Sequence, residues 1–370
     1  MHGVAGAARL TASMVSNPEL VRLPRLGSST TGRSIRTRLG ARVELPLFLP
    51  VYQPRSEAFQ LTTRDSRLRI EGLIVNAYFL YKQREIRERL TGGESLSAFI
   101  GFEGLIATDS GAFQGFTRQL YLSNRDIVRF QEAIGSDVIS PLDLVTPPGD
   151  NRSVAQAKLL ATNKRIREAL RIVEDGRVAG VQQGGRFLDL RRQSNDALVE
   201  MGVEYVAIGS LVPFFNRNHD LRFAGTVIRD ARAAIGDGPP MHIYGAGDPL
   251  ELPFFFALGA DIFDSASYAH YAKGGHYMTP LGATREPERL RSEGWRCGCP
   301  ICADSPLPAV MSDELLLTQH NLWTIHEVIH LLRRLAADPA GFDRYLAETL
   351  DSHRRLFPDS LLPQSWESLF

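Results

Sequence analysis

Three aspartates stand where short apolar runs end. They lie in the motifs ATDSGAFQ (Asp109), SPLDLVTPP (Asp143) and DIFDSASY (Asp264). A single aspartate after a strand is more often a helix cap than a catalyst, but three at three strand ends form one constellation. Carboxylates held close together cannot all ionise equally, so one holds a proton while another stays charged. Such a set supplies a nucleophile and a general acid–base group, which is the division of labour in retaining glycosyl transfer.

Hydrogen-bond donors accompany these acids. Gln183 precedes two glycines, and Ser210 follows Gly209, at the ends of two further apolar runs. Carboxylates accept from the donor edge of a flat heterocycle, whereas a carbonyl on the same ring requires donors such as a glutamine amide or a backbone N–H. The combination favours a purine-like base attached to a sugar as the substrate.

All three cysteines of the chain lie in the segment Cys297-Gly-Cys299-Pro-Ile-Cys302, and His320 follows in TQHNLW. Three thiolates and one imidazole make a closed tetrahedral zinc site, which is typical of structural rather than catalytic zinc. The spacing therefore predicts one structural Zn²⁺. Three ordinary reduced thiols are the disfavoured alternative, because so few cysteines rarely cluster by chance.

A second metal motif competes with the first. The segment His326-Glu327-Val-Ile-His330 matches the HExxH signature of zinc proteases, and Glu348 stands downstream as a candidate third ligand. Five-residue motifs recur by chance, and the strand–helix pattern upstream has no part in a zinc protease. We therefore favour a helix whose polar side chains are solvated or pack on the barrel, and keep a zinc metalloprotease as a remote alternative.

The candidate residues need a scaffold that brings distant strand ends together. Eight apolar runs alternate with amphipathic helical patterns over roughly 250 residues, which fits an α/β fold of the (β/α)8 TIM-like barrel type, with its site at the carboxyl ends of the strands. A doubly wound open sheet is disfavoured because no Gly-rich phosphate loop follows the first strand. The predicted strands are Leu45–Val51, Leu73–Asn76, Leu105–Asp109, Val138–Asp143, Val178–Gln183, Tyr205–Gly209, His242–Gly245 and Ile262–Asp264. The predicted helices include Ile127–Ile134, Val154–Val173, Leu188–Met201, Phe223–Ile235, Asp313–Leu335 and Pro339–Arg355.

The chain divides into four predicted segments. Residues 1–30 are rich in Ala, Ser and Gly and are expected to be disordered. Residues 31–283 form the catalytic barrel, and residues 284–335, rich in Arg, Cys and Pro, form a small zinc-binding subdomain. Residues 336–370 form a helical C-terminal segment.

Charge and hydropathy bound the possible partners. Lys+Arg and Asp+Glu both number 42 among 370 residues, which excludes nucleic-acid binding by bulk charge and leaves a local basic face. No apolar run is long enough to cross a membrane and no signal peptide is evident, so a cytoplasmic location is expected. The preferred phosphate contacts flank the cysteines: Arg285, Arg289, Arg291 and Arg296.

Taken in order, these motifs resemble one family. DSGAFQ, PLDLVTPP, VQQGG, AIGSLVP, YGAGDP, FDSASYAHYA and the CxCxxC–His set are similar to the tRNA-guanine transglycosylases, from about Leu45 to about Leu335. PLDLVTPP and FDSASYAHYAK resemble the archaeosine-type branch rather than the bacterial queuosine branch. The resemblance implies a (β/α) barrel with a zinc subdomain, which swaps a guanine in nucleic acid for a 7-deazaguanine base.

The resemblance also implies a role for each motif residue. Asp264 matches the nucleophile that attacks the ribose anomeric carbon, and Asp109 matches the acid–base group that assists departure and return of the base. Asp143 matches the acid that hydrogen-bonds the guanine edge. The implied base-binding set is Asp143, Gln183, the backbone of Ser210 and Leu211, and a stacking ring from Phe113. The implied zinc ligands are Cys297, Cys299, Cys302 and His320.

The chain departs from the archaeosine-type branch in length. Members of that branch carry further C-terminal domains, including an RNA-binding module, for which 370 residues leave no room. The polymer is therefore open: tRNA is the first interpretation, and the same base exchange on DNA is the alternative. A non-catalytic partner subunit is disfavoured because Asp264, Asp109 and the zinc ligands are all present. The position modified, the 7-substituent and the oligomeric state, a homodimer among the alternatives, are also open.

Overall fold

The computed structural model describes residues 33–52, 68, 70–112, 122–292 and 294–370. The segment 1–30, predicted to be disordered, lies outside the described residues. Among those that are described, no helix is both long and apolar enough to span a membrane.

A parallel eight-stranded barrel forms the body of the protein. Its strands are β3 (Leu47–Pro50), β4 (Gly72–Asn76), β5 (Leu105–Asp109), β6 (Val138–Ile139), β7 (Arg177–Gln182), β8 (Tyr205–Ile208), β9 (Met241–Ile243) and β10 (Ile262–Ser265). They run in the order β3-β10-β9-β8-β7-β6-β5-β4, and every pair of neighbours is parallel. Val51 and Ile74 form a parallel bridge between the two edges, and the Tyr52 N–H donates to the Ile74 carbonyl at 2.8 Å. The predicted (β/α)8 barrel is thereby confirmed.

Each of the eight predicted runs overlaps one barrel strand, but the fourth strand is much shorter than predicted. That strand ends at Ile139, so Asp143 lies in the following loop rather than at the strand end. The reason is local: Pro141 has no N–H to donate to a ladder, and the Leu142 N–H donates to the side chain of Asn124 at 2.9 Å. The loop nevertheless keeps Asp143 on the carboxyl side of the barrel.

Apolar side chains fill the barrel interior. The inward faces of the strands form one buried cluster that includes Leu47, Ala179, Val181 and Tyr205. An antiparallel hairpin, β1 (Ser34–Arg36) with β2 (Arg42–Glu44), adds Ile35 and Val43 to the same cluster. The hairpin therefore closes the amino end of the barrel, and the carboxyl end is left to hold the site.

Helices cover the outside of the barrel. Several begin at side-chain caps: Ser123, Asn151 and Asp313 each accept from a backbone N–H of the first turn. The helices are α1 (Ala77–Lys82), α2 (Arg84–Thr91), α3 (Leu96–Ile100), α4 (Asn124–Ala133), α5 (Arg152–Ala169), α6 (Leu188–Glu200), α7 (Arg222–Ile235), α8 (Leu252–Ala257), α9 (Ser267–Lys273), α10 (Pro287–Ser292), α11 (Pro300–Asp304), α12 (Leu307–Ser312), α13 (Glu314–Leu335), α14 (Pro339–Leu356) and α15 (Leu362–Glu367).

One long helix links the barrel with the cysteine-rich segment. The later part of α13 places Leu322, Ile325 and Val328 in the main hydrophobic core. Its first turns place Leu317 in a separate cluster with the cysteines. A second hairpin, β11 (Tyr277–Thr279) with β12 (Gly282–Thr284), joins the two regions.

Candidate active site

Two strands and one loop present the three aspartates at the carboxyl mouth of the barrel. Asp109 is the last residue of β5, Asp264 lies near the end of β10, and Asp143 follows β6. Each side chain is only partly exposed. The carboxyl groups lie close enough to affect one another: the charge of Asp264 raises the pKa of Asp109, and the charge of Asp109 raises the pKa of Asp143.

Asp109 is held by two donors. The Gly111 N–H donates to Oδ1 at 3.1 Å, and Nδ2 of Asn76, its neighbour across β4 and β5, donates to Oδ2 at 3.0 Å. Burial raises the pKa of Asp109 to about 6, and the charge of Asp264 adds to the rise while the two hydrogen bonds oppose it. A carboxyl group with this pKa can give and take a proton near neutral pH.

A chain of hydrogen bonds joins Asp143 to the loop after β8. Gln183 is fully buried, donates from Nε2 to Asp143 Oδ2 at 2.5 Å and accepts at Oε1 from the Ser210 hydroxyl at 2.7 Å. The Ser210 hydroxyl in turn accepts from the Thr146 N–H at 2.9 Å. Burial raises the pKa of Asp143 to about 7; the charge of Asp109 adds to the rise and the bond from Gln183 opposes it.

Asp264 has different neighbours. The Gly245 N–H donates to its Oδ1 at 3.1 Å. The same oxygen lies 2.9 Å from Nε2 of His242, a close polar contact that is not aligned as a hydrogen bond. Because both neighbours act on Oδ1, the other oxygen, Oδ2, is the freer one for a reaction.

Tyr244 stands among the three acids. Its ring packs at the edge of His242, with centroids 4.7 Å apart, and its hydroxyl lies 2.9 Å from the Ser140 hydroxyl. Burial, with the charges of the three aspartates, raises the pKa of Tyr244 well above its ordinary value. Tyr244 therefore stays a neutral phenol in the site.

The predicted site residues largely meet at this mouth, although Phe113 lies outside the described residues. Asp109, Asp143 and Asp264 are joined by Gln183 and by the loop that carries Ser210 and Leu211. Four site neighbours were not anticipated from the sequence: Asn76, His242, Tyr244 and Arg191. The first three carried a usable signal, since each is a polar residue in or directly after a buried strand.

The cysteine-rich segment gathers a second set of side chains. The three Sγ atoms of Cys297, Cys299 and Cys302 lie 3.7, 3.4 and 3.6 Å from Nδ1 of His320. A tetrahedral zinc ion with Zn–S near 2.3 Å and Zn–N near 2.0 Å would separate sulfur and nitrogen by about 3.6 Å. The donor set and its spacing therefore fit one metal ion with four protein ligands.

Neighbouring groups orient the histidine for this role. Nε2 of His320 lies 2.9 Å from the Met278 carbonyl, which can only accept, so the ring proton sits on Nε2 and Nδ1 is left with a lone pair facing the sulfurs. The ring of Tyr277 stacks on His320 at 3.6 Å, and its hydroxyl lies 3.0 Å from Cys302 Sγ. These are the contacts that hold a metal ligand in place.

The HExxH motif does not form a metal site. In the described part of the chain, the Cys₃His set is the only group of three or more His, Cys, Asp or Glu side chains that could hold one ion. His326 is buried on α13 with its ring edge-on to Phe48 of β3, and His330 is half-buried one turn later. The interpretation of a helix that packs on the barrel is confirmed, and the metalloprotease alternative is not supported.

The fold and these two sets of side chains define a (β/α)8-barrel protein with an acidic mouth and a potential Cys₃His metal site. A family model described as queuine tRNA-ribosyltransferase matches residues 23–355. The chain belongs to this family, as the motifs predicted.

Curated relatives carry a more specific name. A tRNA-guanine(15) transglycosylase of Methanopyrus kandleri is 37% identical over 304 residues, which cover 80% of this chain and 64% of the relative. Proteins of the same name from Pyrococcus abyssi and Haloarcula marismortui are 35% and 33% identical; the matches cover 86% and 91% of this chain, and 54% and 67% of the relatives. The chain thus spans about half to two-thirds of the length of these relatives.

Proposed function

We propose that the protein is a guanine transglycosylase, a pentosyltransferase that replaces a guanine in tRNA by a 7-deazaguanine base through a covalent aspartyl-ribosyl intermediate. The observation that carries the proposal is the convergence of Asp109, Asp143 and Asp264 at one barrel mouth, with two of their pKa values raised toward neutrality. Membership of the family supports it.

Recognition of the base falls to the chain of hydrogen bonds around Asp143. A carboxylate at Asp143 accepts from the amine and ring N–H of the guanine edge. Gln183 and the backbone N–H groups of Ser210 and Leu211 serve the carbonyl on the same ring. Phe113, outside the described residues, is assigned to stacking on the base. The target nucleotide has to leave its stack to reach this depth, which costs a few kcal/mol.

The first half-reaction forms the intermediate. The Asp264 carboxylate attacks C1′ of the ribose, the new C1′–O bond forms, and the C1′–N9 bond to guanine breaks with its electron pair going to the base. Asp109, in its protonated form, gives a proton to the departing base. A pKa of about 6 lets Asp109 hold that proton in part of the population near neutral pH.

The second half-reaction reverses these steps with another base. Asp109, now a carboxylate, takes a proton from the incoming 7-deazaguanine. The ring nitrogen of that base attacks C1′ and the bond to Asp264 breaks, which restores the free carboxylate. Two inversions at C1′ leave the sugar configuration unchanged.

Zinc has a structural part in this proposal. Cys297, Cys299, Cys302 and His320 would hold one Zn²⁺, which cross-links the segment 284–335. With four protein ligands the ion has no open position, so no step passes through it. The cysteines pack in their own cluster, which supports a subdomain beside the barrel.

The polymer is proposed to be tRNA because the matched relatives are named for tRNA. The experiment incubates the purified chain with labelled guanine or 7-cyano-7-deazaguanine and either bulk tRNA or double-stranded DNA, followed by denaturing gels. Label in tRNA is expected, and none with Asp264→Asn. The exposed Asp189→Asn on α6 is the matched control and should keep full activity. Label in DNA alone would keep the chemistry and overturn the polymer; label in neither would overturn the proposed function.

A further inference from the structure

Behind the base-binding loops lies a buried arginine that has no acidic partner among the described residues. Arg191 on α6 is 2% exposed. Its Nε donates to the Gly185 carbonyl at 2.9 Å, and Nη1 donates to the side chain of Gln182 at 2.9 Å and to the Gly209 carbonyl at 2.8 Å. Nη2 donates to the Ser210 carbonyl at 3.3 Å. Every one of these acceptors is neutral.

Burying the Arg191 guanidinium in this way costs free energy, which a role for the charge would explain. Taking a cation out of water without an opposite charge beside it is strongly unfavourable. Burial accordingly lowers the pKa of Arg191 to about 9, which still leaves the guanidinium charged at neutral pH. Neutral side chains of the same size would pack here at lower cost, so packing alone does not account for an arginine.

Three of the four acceptors belong to the two loops that carry Gln183 and Ser210, and the fourth, Gln182, is the last residue of β7. The loop after β7 approaches α6 so closely that a Cβ on Gly184 would lie 2.8 Å from the backbone nitrogen of Arg191, and Gly184 has a φ of 141°. Ser210 adopts a φ of 57°, which is unfavourable for a residue with a side chain. Bonds from Arg191 to the carbonyls on either side of this residue help to hold it there.

The hydrogen bonds from Arg191 also orient the N–H groups of Ser210 and Leu211, which point away from the guanidinium. In a trans peptide the C=O and N–H lie on opposite sides. With the Gly209 and Ser210 carbonyls on Arg191, the N–H groups of Ser210 and Leu211 face away from the guanidinium. Over the described ranges neither N–H has an acceptor. The two N–H groups are therefore free donors, and the buried Arg191 guanidinium polarises the peptide groups to which they belong.

We propose that Arg191 is a positioning residue for the base exchange: it fixes these two N–H donors and strengthens them toward the carbonyl oxygen of the guanine. The inference rests on the proposed function. When the C1′–N9 bond breaks, its electron pair enters the guanine ring and part of the negative charge reaches that oxygen, until Asp109 supplies the proton. A cation behind the donors favours this charged state over the ground state.

The test compares three variants of the full chain. Arg191→Met removes the charge and the bonds, Arg191→Lys keeps the charge with fewer bonds, and Arg192→Met removes the exposed neighbour on the same helix. Guanine exchange into tRNA gives kcat and KM, while thermal unfolding and zinc content check the fold. Arg191→Met is expected to lower kcat about 10²-fold, the size of an oxyanion-donor loss. Arg191→Lys should recover part of that loss, and Arg192→Met should match the wild type.

A second readout separates charge stabilisation from loop damage. The wild-type enzyme loads tRNA with labelled guanine or with labelled 8-azaguanine, whose ring bears negative charge more readily, and each variant then releases the label. Arg191→Met should slow release of guanine more than release of 8-azaguanine. Equal slowing of both, or a lysine variant no better than the methionine variant, would overturn the inference.

Calorimetry measures the affinity for free guanine and so tests the inference without turnover. Arg191→Met should weaken guanine binding at least tenfold relative to Arg192→Met. If the wild-type protein binds guanine in this Arg191-dependent way but exchanges no base, the proposed function fails, whereas the assignment of Arg191 as the residue that fixes the two donors to guanine stands. Guanine binding and exchange unchanged in Arg191→Met would overturn the inference alone, and no guanine binding by the wild type would overturn both.

Discussion

Nε2 of His242 lies 2.9 Å from Oδ1 of Asp264, the proposed nucleophile, and the imidazole is almost entirely buried. The other ring nitrogen, Nδ1, lies 2.9 Å from the hydroxyl of Tyr205. Burial raises the pKa of Tyr205 well above its ordinary value, so the phenol keeps its proton. A phenol that donates to Nδ1 leaves the imidazole hydrogen on Nε2, facing the carboxylate.

Loss of this N–H is expected to slow the attack by Asp264. His242→Phe removes the donor, whereas His242→Gln retains one at the end of a side chain of similar reach. The 2.9 Å contact is not aligned as a hydrogen bond, but the buried imidazole fixes the position of the carboxylate. His242→Phe should therefore slow formation of the covalent adduct by up to about 100-fold, with KM for the free base little changed. Single-turnover gels measure the rate. Equal rates in the two variants would remove His242 from this role.

Asp264 and Asp109 should respond differently to the same substitution. Asparagine keeps the shape of Asp264 but cannot attack and later leave an anomeric carbon, so Asp264→Asn should abolish exchange and form no adduct while still binding tRNA. Asp109→Asn removes a proton carrier and should slow exchange by about 10²–10⁴-fold. Denaturing gels and filter binding measure both effects. A stable adduct in Asp264→Asn would show that another group is the nucleophile.

Strand ends are the part of the site that the sequence reveals best. A buried parallel strand appears in the sequence as a continuous apolar run, so a polar residue at its end, such as Asp109, or directly after it, such as Gln183, stands out. The loop to Asp143 was placed wrongly in a strand, because the bond from Leu142 to Asn124 depends on a residue outside the run. Tertiary contact, rather than local pattern, set that boundary.

Arg191 shows where sequence interpretation reaches its limit. On a helix that carries both basic and acidic residues it resembles its neighbour Arg192, which is exposed and paired with Asp230. Only the close approach of the glycine loop after β7 buries one and not the other. The hairpin that closes the amino end of the barrel was likewise not predicted, because its strands are three residues long.

Zinc content should fall when one of the four assigned ligands is replaced, and only then. Cys302→Ser should lower zinc content and thermal stability, because it removes one of the four ligands and the sulfur that faces the hydroxyl of Tyr277. His330→Ala, on the same helix as His320 but outside the cluster, is the control and should leave zinc content unchanged. Elemental analysis of the purified variants measures the metal. Full zinc occupancy in the Cys302→Ser variant, or zinc loss in the His330→Ala variant, would contradict the assignment.

Stability should depend on pH through Asp143. Its pKa is about 7 in the folded chain against an ordinary 3.8, so the folded state binds the proton more tightly than the unfolded state. The free energy of unfolding therefore falls as pH rises from about 4 to about 7, and the full cost of the buried charge is present above that range. Asp143→Asn removes this charge and keeps an oxygen that can accept from Gln183. The variant should be more stable than the wild type at pH 8, by roughly 2–4 kcal/mol, and the difference should vanish toward pH 4.

Urea unfolding of wild type and variant at pH 8, 6 and 4.5 measures this difference. The control is Asp189→Asn, whose carboxylate is exposed, pairs with Arg152 and has its pKa lowered by that arginine. Because the sign of that shift is opposite, the control should show no gain at pH 8. A gain in Asp143→Asn that stays constant from pH 8 to pH 4.5 would come from packing rather than from charge. No gain at any pH would mean that neighbouring groups compensate the charge of Asp143 in the folded chain, and the raised pKa assigned to this carboxyl group would then be wrong.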